Sequence, residues 1–281
     1  ANAVWGQQGY RFEDAYLRTL AADYGAGLRT IDFGKPEAAS EEINAWISSR
    51  TEDRIKDLVS PDIIDPTTRL VLANAVYFKA SWLSRFEKSS TQDGPFTPLD
   101  GGETTIPMMH QTTYLDYADG EGYQAVRLPY KGEAADMLVI LPDEGRFETV
   151  EERLNSDFLD EVDRSLDTKY VSLTMPRFDF ETDLDLEERL KAMGMTRPFD
   201  AADFSGISGA KDLYISDALH RANITVDEKG TEAAAATVLV MAESSTPQVT
   251  EMTMDRPFIF AIVERDTGTI LFLGRVTNPQ K

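Results

Sequence analysis

Only two histidines, His110 and His220, occur among the 281 residues, so an enzyme moving protons through imidazole would have to use one of them. His110 follows Pro107-Met108-Met109 in an apolar stretch, and spacing suggests no serine or aspartate partner for it. His220 sits in "LYISDALHRANITV", where a core histidine satisfied by hydrogen bonds is the simpler account. The carboxylates of "TDLDLEE" (Thr182–Glu188) could suggest calcium, but they lack the glycine and the oxygen spacing of a calcium loop. A strand end running into an acidic first helical turn explains them better. The chain has no HExxH, no Gly-x-Ser-x-Gly elbow, no phosphate loop and no Gly-x-Gly-x-x-Gly. It also has no cysteine, which removes thiol catalysis, disulfides and zinc–cysteine sites. No enzyme, metal or cofactor is expected from these residues.

Composition narrows the partners. The net charge of −21 argues against nucleic acid, whose phosphates call for clustered lysine and arginine, and it fits a very soluble protein, one adapted to salt among the options. No apolar stretch approaches the length of a membrane span. The opening "ANAVWGQQGY" lacks the basic-then-apolar pattern of a signal peptide, although a removed one would leave no trace.

Two amphipathic helices are expected early. "RFEDAYLRTLAADYG" places Phe12, Tyr16, Leu17 and Leu20 at helical spacing. "SEEINAWISSRTEDRIKDLV" continues the pattern through Ile43, Trp46, Ile47, Ile55 and Leu58, with Ser40 placed to cap its start. From Thr68 the character changes. "RLVLANAVYF" reads as a strand covered on both faces. Further strands are expected at "YQAVRLPY", "DMLVILP", "YVSLTMPRFDFET" and "LYISDALHRANITV", with helices around 147–165 and at "DLEERLKAMGM". "PFIFAIVERDTGTILFLGRV" is a hairpin about an Asp-Thr-Gly turn. This irregular mixture indicates an α+β fold in one domain, 1–281, with no repeat and no linker.

One stretch fits none of these elements. "DEKGTEAAAATVLVMAESSTPQ" (Asp227–Gln248) joins helix-like, strand-like and loop-like sequence without a turn. Taken as a strand, one row holds Thr231, Ala233, Ala235, Thr237, Leu239 and Met241; the other holds Glu232, Ala234, Ala236, Val238 and Val240. The leading side chains are small and no proline interrupts them, as required of a segment that slides between two strands already paired. Gly230 can serve as its hinge.

At these residues the chain resembles the serpin family. "TVDEKGTEAAAAT" (Thr225–Thr237) resembles the family's reactive-loop hinge, and "NAVYFKASW" (Asn74–Trp82) the strand at its shutter and breach. "DRPFIFAIVERDTGTILFLGRVTNP" (Asp255–Pro279) resembles its closing strand pair, and "INAWISSRTEDRIKDLV", "IPMM", "LPY" and "MPRF" fall between in the family's order. The resemblance covers essentially the whole chain. Residue 1 matches the middle of the pattern, so the helices that precede it in the family lie outside this sequence. Without them the buried-helix serines of the shutter cannot be assigned, and apolar sheet surface is expected to be exposed.

The resemblance implies a serpin fold: a large mixed sheet, two smaller sheets, surrounding helices and an exposed reactive loop over about 228–250. It implies inhibition of a serine or cysteine protease by a suicide-substrate route, with no nucleophile from the chain itself. Counting from Glu228 at the family's spacing puts the reactive bond at Ser244–Ser245, with Glu243 and Ala242 as alternatives because loop lengths vary. A small residue there would suit an elastase- or subtilisin-like protease. Glu228, Gly230, Thr231 and the run Glu232, Ala233, Ala234, Ala235, Ala236 and Thr237 become the hinge. Asn74 and His220 become the shutter pair and Trp82 the breach. A monomer in an extracellular or secreted setting is implied. The competing possibility is a serpin that no longer inhibits and serves as a binding or chaperone module; the unobstructed hinge favours inhibition.

Overall fold

The structure is a computed structural model that describes residues 2–25, 27–200, 202–215, 218–231 and 247–280, with Asp185 and Leu219 described by backbone alone. Along the chain run β1 (Asn2–Gln7), α1 (Asp14–Asp23), β2 (Leu28–Ile31), α2 (Pro36–Arg50), β3 (Leu70–Tyr77) and β4 (Ala80–Ser81). β5 (Gln92–Phe96), β6 (Thr104–Gly120), β7 (Tyr123–Pro129), β8 (Ala135–Pro142), α3 (Phe147–Glu152) and α4 (Ser156–Ser165) follow. Then come β9 (Asp167–Pro176), β10 (Phe178–Asp185), α5 (Leu186–Ala192), α6 (Arg197–Asp200), α7 (Ser205–Ser208) and β11 (Leu219–Val226). The last strands are β12 (Gly230–Thr231), β13 (Val249–Thr253), β14 (Phe258–Glu264) and β15 (Ile270–Val276). The chain divides into two compact units, Ala1–Phe78 with Glu181–Asn223, and Lys79–Phe180 with Ile224–Lys281.

The first unit is built on a mixed sheet in the order β10-β11-β3-β1-β2. Among the described residues one row of its β3 is covered, and the other shows the exposed apolar sheet surface expected above. Ala73 and Ala75 join the core under α2, with Val71 packed against it, whereas Leu72 points the other way and is 56% exposed. An uninterrupted apolar run cannot by itself say which of its two rows is covered.

Helix α2 buries Ala39, Ile43 and Ile47 against Trp5, Ile31 and Phe33. It begins at Pro36, whose missing N–H costs nothing at the first position, so Ser40 is not its cap. Ser40 is instead buried inside the helix and donates to the Val59 carbonyl at 2.6 Å, beside Asn44, which both donates to that carbonyl and accepts from the Val59 N–H. The helix ends at Arg50 because Glu52 and Asp53 take positive φ. Ile55 and Leu58 therefore reach the same core from a non-helical segment pinned back along the helix.

The second unit carries a sheet in the order β13-β9-β6-β7-β8-β14-β15, with β5 on β6, and the two-stranded pair β12–β4. Every residue of β8 is buried. Helices α3 and α4 seat Phe147, Val150, Phe158 and Val162 on its neighbours, and Asn155 caps α4 by accepting the Phe158 N–H at 2.9 Å. Strands β14 and β15 form the expected hairpin, with Gly268 at φ 69° supplying the left-handed turn residue.

Candidate functional site

The hinge residues up to Thr231 are described, and they are folded into the second unit. The chain turns back after β11 through a pair of main-chain bonds, Asp227 N–H to the Gly230 carbonyl (3.0 Å) and Gly230 N–H to the Asp227 carbonyl (3.2 Å). Asp227 also accepts the Lys229 N–H on its side chain at 2.8 Å, an Asx arrangement that stabilises the turn. Gly230 and Thr231 then lie antiparallel to β4, opposite Ser81 and Ala80. Gly230 has φ +137°, and a Cβ on it would come within 2.3 Å of the Ala80 carbonyl oxygen. Only glycine fits there.

Trp82 holds this turn from the β4 side. Its main-chain N–H donates to the Lys229 carbonyl and its indole N–H to the Asp227 carbonyl, both at 3.0 Å. Its ring lies flat on Tyr130, with centroids 4.6 Å apart and planes 9° from parallel. The Tyr130 and Thr231 hydroxyls are 3.0 Å apart, and Thr231 is only 1% exposed. Burial pushes the Tyr130 phenol well above its ordinary value, and the Thr231 hydrogen bond opposes this only in part. Glu228 is also buried. Its carboxylate accepts from the Thr91 hydroxyl at 2.7 Å and lies 3.7 Å from the half-exposed Arg177 guanidinium.

The two residues expected to form a shutter pair lie in the first unit. His220 and Asn74 face each other in the parallel pairing of β11 with β3, and His220 Nδ1 is 2.9 Å from the Asn74 side-chain oxygen. The Asn74 amide donates to Asn2 at 2.5 Å, which leaves its oxygen as acceptor and places a proton on His220 Nδ1. Strands β3 and β11 pair directly from Asn74 with His220 to Tyr77 with Asn223, so no strand lies between them there. The acidic run near 182–188 is a strand end entering α5, and its Asp183 forms a two-pronged pair with Arg221, which also reaches Glu181 and the Lys56 carbonyl. His110 lies in β6 beside Thr174. Among the described residues, no three His, Asp or Glu side chains are grouped to hold a metal.

Glu232, Ala233, Ala234, Ala235, Ala236, Thr237 and the bond Ser244–Ser245 lie outside the described residues. The structure brings Glu228, Gly230, Thr231 and Trp82 together, and separately Asn74 with His220. Sequence reasoning assigned no role to Tyr130, Thr91 or Arg177. Tyr130 and Arg177 stand in "LPY" and "MPRF", where no spacing signals a partner for either side chain.

The mixed sheet of the first unit carries the Asn74–His220 pair, and the second unit separately holds a buried turn that ends at Thr231. The family model described as Serpin (serine protease inhibitor) matches residues 1–279, and the chain belongs to that family. An uncharacterised serpin-like protein of Thermococcus kodakarensis is 44% identical over 99% of this chain and 66% of its own length. Neuroserpin of Homo sapiens is 34% identical over the whole chain and 71% of its own length. The chain thus spans about two thirds of the curated relatives it matches. Among solved structures, thyroxine-binding globulin in complex with thyroxine superposes with a TM-score of 0.88 at 31% identity, covering 99% of this chain and 74% of that one. Native protease nexin-1 with heparin gives 0.87 at 34%, covering 99% and 76%. The fold is the serpin fold, α+β as the sequence indicated.

Proposed function

We propose that the protein inhibits a serine or cysteine protease as a suicide substrate. The supporting observation is the hinge: Gly230 and Thr231 are paired with β4 while β3 and β11 remain directly joined. In this account the protease nucleophile attacks the carbonyl of Ser244, the bond to Ser245 breaks, and an acyl-enzyme forms. The freed segment then adds between β3 and β11, a recognition mode for which serpin loop insertion is itself a standard example. About a dozen residues gaining ladder bonds at roughly 1 kcal/mol each supply on the order of 10 kcal/mol. At about 3.3 Å per residue the acylated end travels some 40 Å. The traction displaces catalytic groups whose placement within an ångström controls deacylation.

A shallow-pocketed protease of elastase or subtilisin type is the favoured target, because residues 242–245 are small or acidic and lack a basic anchor. The test is incubation with elastase-, subtilisin- and trypsin-like enzymes. An SDS-resistant complex, with a released peptide beginning at Ser245, is expected. Clean hydrolysis by every enzyme, with no complex, would defeat the proposal. It would favour the second reading, a binding module, for which the thyroxine complex of a structural relative is the precedent.

A further inference from the structure

Thr231 is the last described residue before the loop, and it is one of the most deeply buried polar side chains of the protein. A threonine hydroxyl removed from water needs a partner. That partner is the Tyr130 hydroxyl, 101 residues away in sequence. Tyr130 cannot easily swing aside: its ring is stacked on Trp82, and its main-chain N–H donates to the Ala135 carbonyl at 3.1 Å. Trp82 in turn grips the carbonyls of Asp227 and Lys229. One aromatic pair therefore holds the hinge at three points, two through main-chain carbonyls and one through a side-chain hydroxyl. The carbonyl contacts do not depend on what residue 231 is; the hydroxyl contact does.

We propose that Tyr130 is a positioning residue for strand insertion, its hydroxyl keeping Thr231 seated against β4 before any protease arrives. The proposal rests on the suicide-substrate reading, since seating matters to function only if the loop is later drawn in. Seating places the branch point of the reaction: an acyl-enzyme meets a strand already begun, and insertion outruns hydrolysis. If Thr231 withdraws, insertion must first recover that step while hydrolysis proceeds. Because burial keeps the phenol protonated, the hold does not weaken across the working pH range.

The test uses Tyr130→Phe, Thr231→Val and the double variant in the full chain. Tyr130→Phe strands the Thr231 hydroxyl and Thr231→Val removes the other end of the same bond; the double change removes both groups and keeps the shape, which is close to neutral for a buried pair. Hydrogen exchange at the Trp82 amide, which donates to Lys229, reads the seating directly. Tyr130→Phe is expected to speed that exchange about tenfold, equivalent to about 1.4 kcal/mol. With a responsive protease it is expected to raise the hydrolysed fraction severalfold while leaving the acylation rate unchanged. The double variant should recover both values to within about twofold of the parent, given the near-neutrality of removing both groups. Unchanged exchange in Tyr130→Phe overturns the proposal, and so does a double variant no better than the worse single one. If exchange rises and recovers but no protease forms a complex, the seating stands and the inhibitor reading fails.

Discussion

Gly230→Ala is the substitution for which the structure gives the sharpest consequence. The residue sits at φ +137°, where a side chain is strained, and an added Cβ would lie 2.3 Å from the Ala80 oxygen, 2.6 Å from Ser81 Cα and 2.7 Å from Trp82 N. All three are main-chain atoms of a segment fixed on its far side, where Lys131 N–H donates to Ser81 at 2.7 Å and Leu83 N–H to Pro129 at 2.8 Å. The segment cannot retreat, so the hinge must. Backbone strain alone costs about 1–3 kcal/mol. Leaving the slot sacrifices the Trp82–Lys229 bond and part of the 227–230 turn, at about 1 kcal/mol per bond. A total on the order of 4 kcal/mol lowers the seated population about a thousandfold. The protease should still cleave the loop, because the bait lies well beyond the hinge in sequence. The expected result is therefore a switch from inhibitor to substrate: a normal cleavage rate, near-complete loss of SDS-resistant complex, and a lower melting temperature. Undiminished complex at an unchanged melting temperature would refute the account of the hinge given above.

Thr231→Arg should act in the same direction more severely, since it forces an unpaired cation into a site that is 1% exposed, and partition assays should show substrate behaviour only. Glu228→Gln keeps the Thr91 bond and removes the charge facing Arg177; because Arg177 is half-exposed, a modest loss of about 1 kcal/mol is expected in denaturant unfolding. Asn74→Ala deprives His220 of its acceptor and should lower stability by about 1–2 kcal/mol, with exchange at Asn74–Tyr77 rising first. Lys211 and Ser205 hold the Asp203 carboxyl down to about 2 from its ordinary 3.8. What that ionisation contributes to stability is present above the ordinary value and lost as pH falls through about 2, so NMR titration of Asp203 should show its midpoint there rather than near pH 4.

The parts legible in the sequence are those set by local rules. The β14–β15 hairpin was plain because an Asp-Thr-Gly turn separates two apolar runs, and the turn residue takes the conformation glycine allows. The acidic run at 182–188 is legible as a strand end entering a helix, and β10 does run into α5 there. The start of α2 was misjudged because Ser40 looks like a cap, while Pro36, four residues earlier, is equally good at a first turn and leaves Ser40 free to bond Val59. The hinge segment is legible both as a run of small side chains free of proline after Gly230 and as a family pattern. Tyr130 was missed because nothing in Leu-Pro-Tyr signals a partner 101 residues on; only the fold of the second unit brings the two hydroxyls together.

The seated hinge also bears on how a strand can be added quickly. Bringing a free segment to a sheet carries a closure cost before any ladder bond compensates it. Here the turn at 227–230 is already closed, and Gly230 and Thr231 already lie antiparallel to β4. In the proposed insertion, extension would proceed residue by residue from an existing hairpin, each step local in sequence and each adding bonds as it fixes backbone. The opposing cost in that proposal would be separation of β3 from β11, where the Asn74–His220 bond joins the strands beside the main-chain pairing. Without the seated pair, the same loop would face closure and separation together, within the lifetime of one acyl-enzyme. Under the proposed function, a glycine no other residue can replace, a threonine hydroxyl held by a buried tyrosine, and a tryptophan clasping two carbonyls would separate those costs in time.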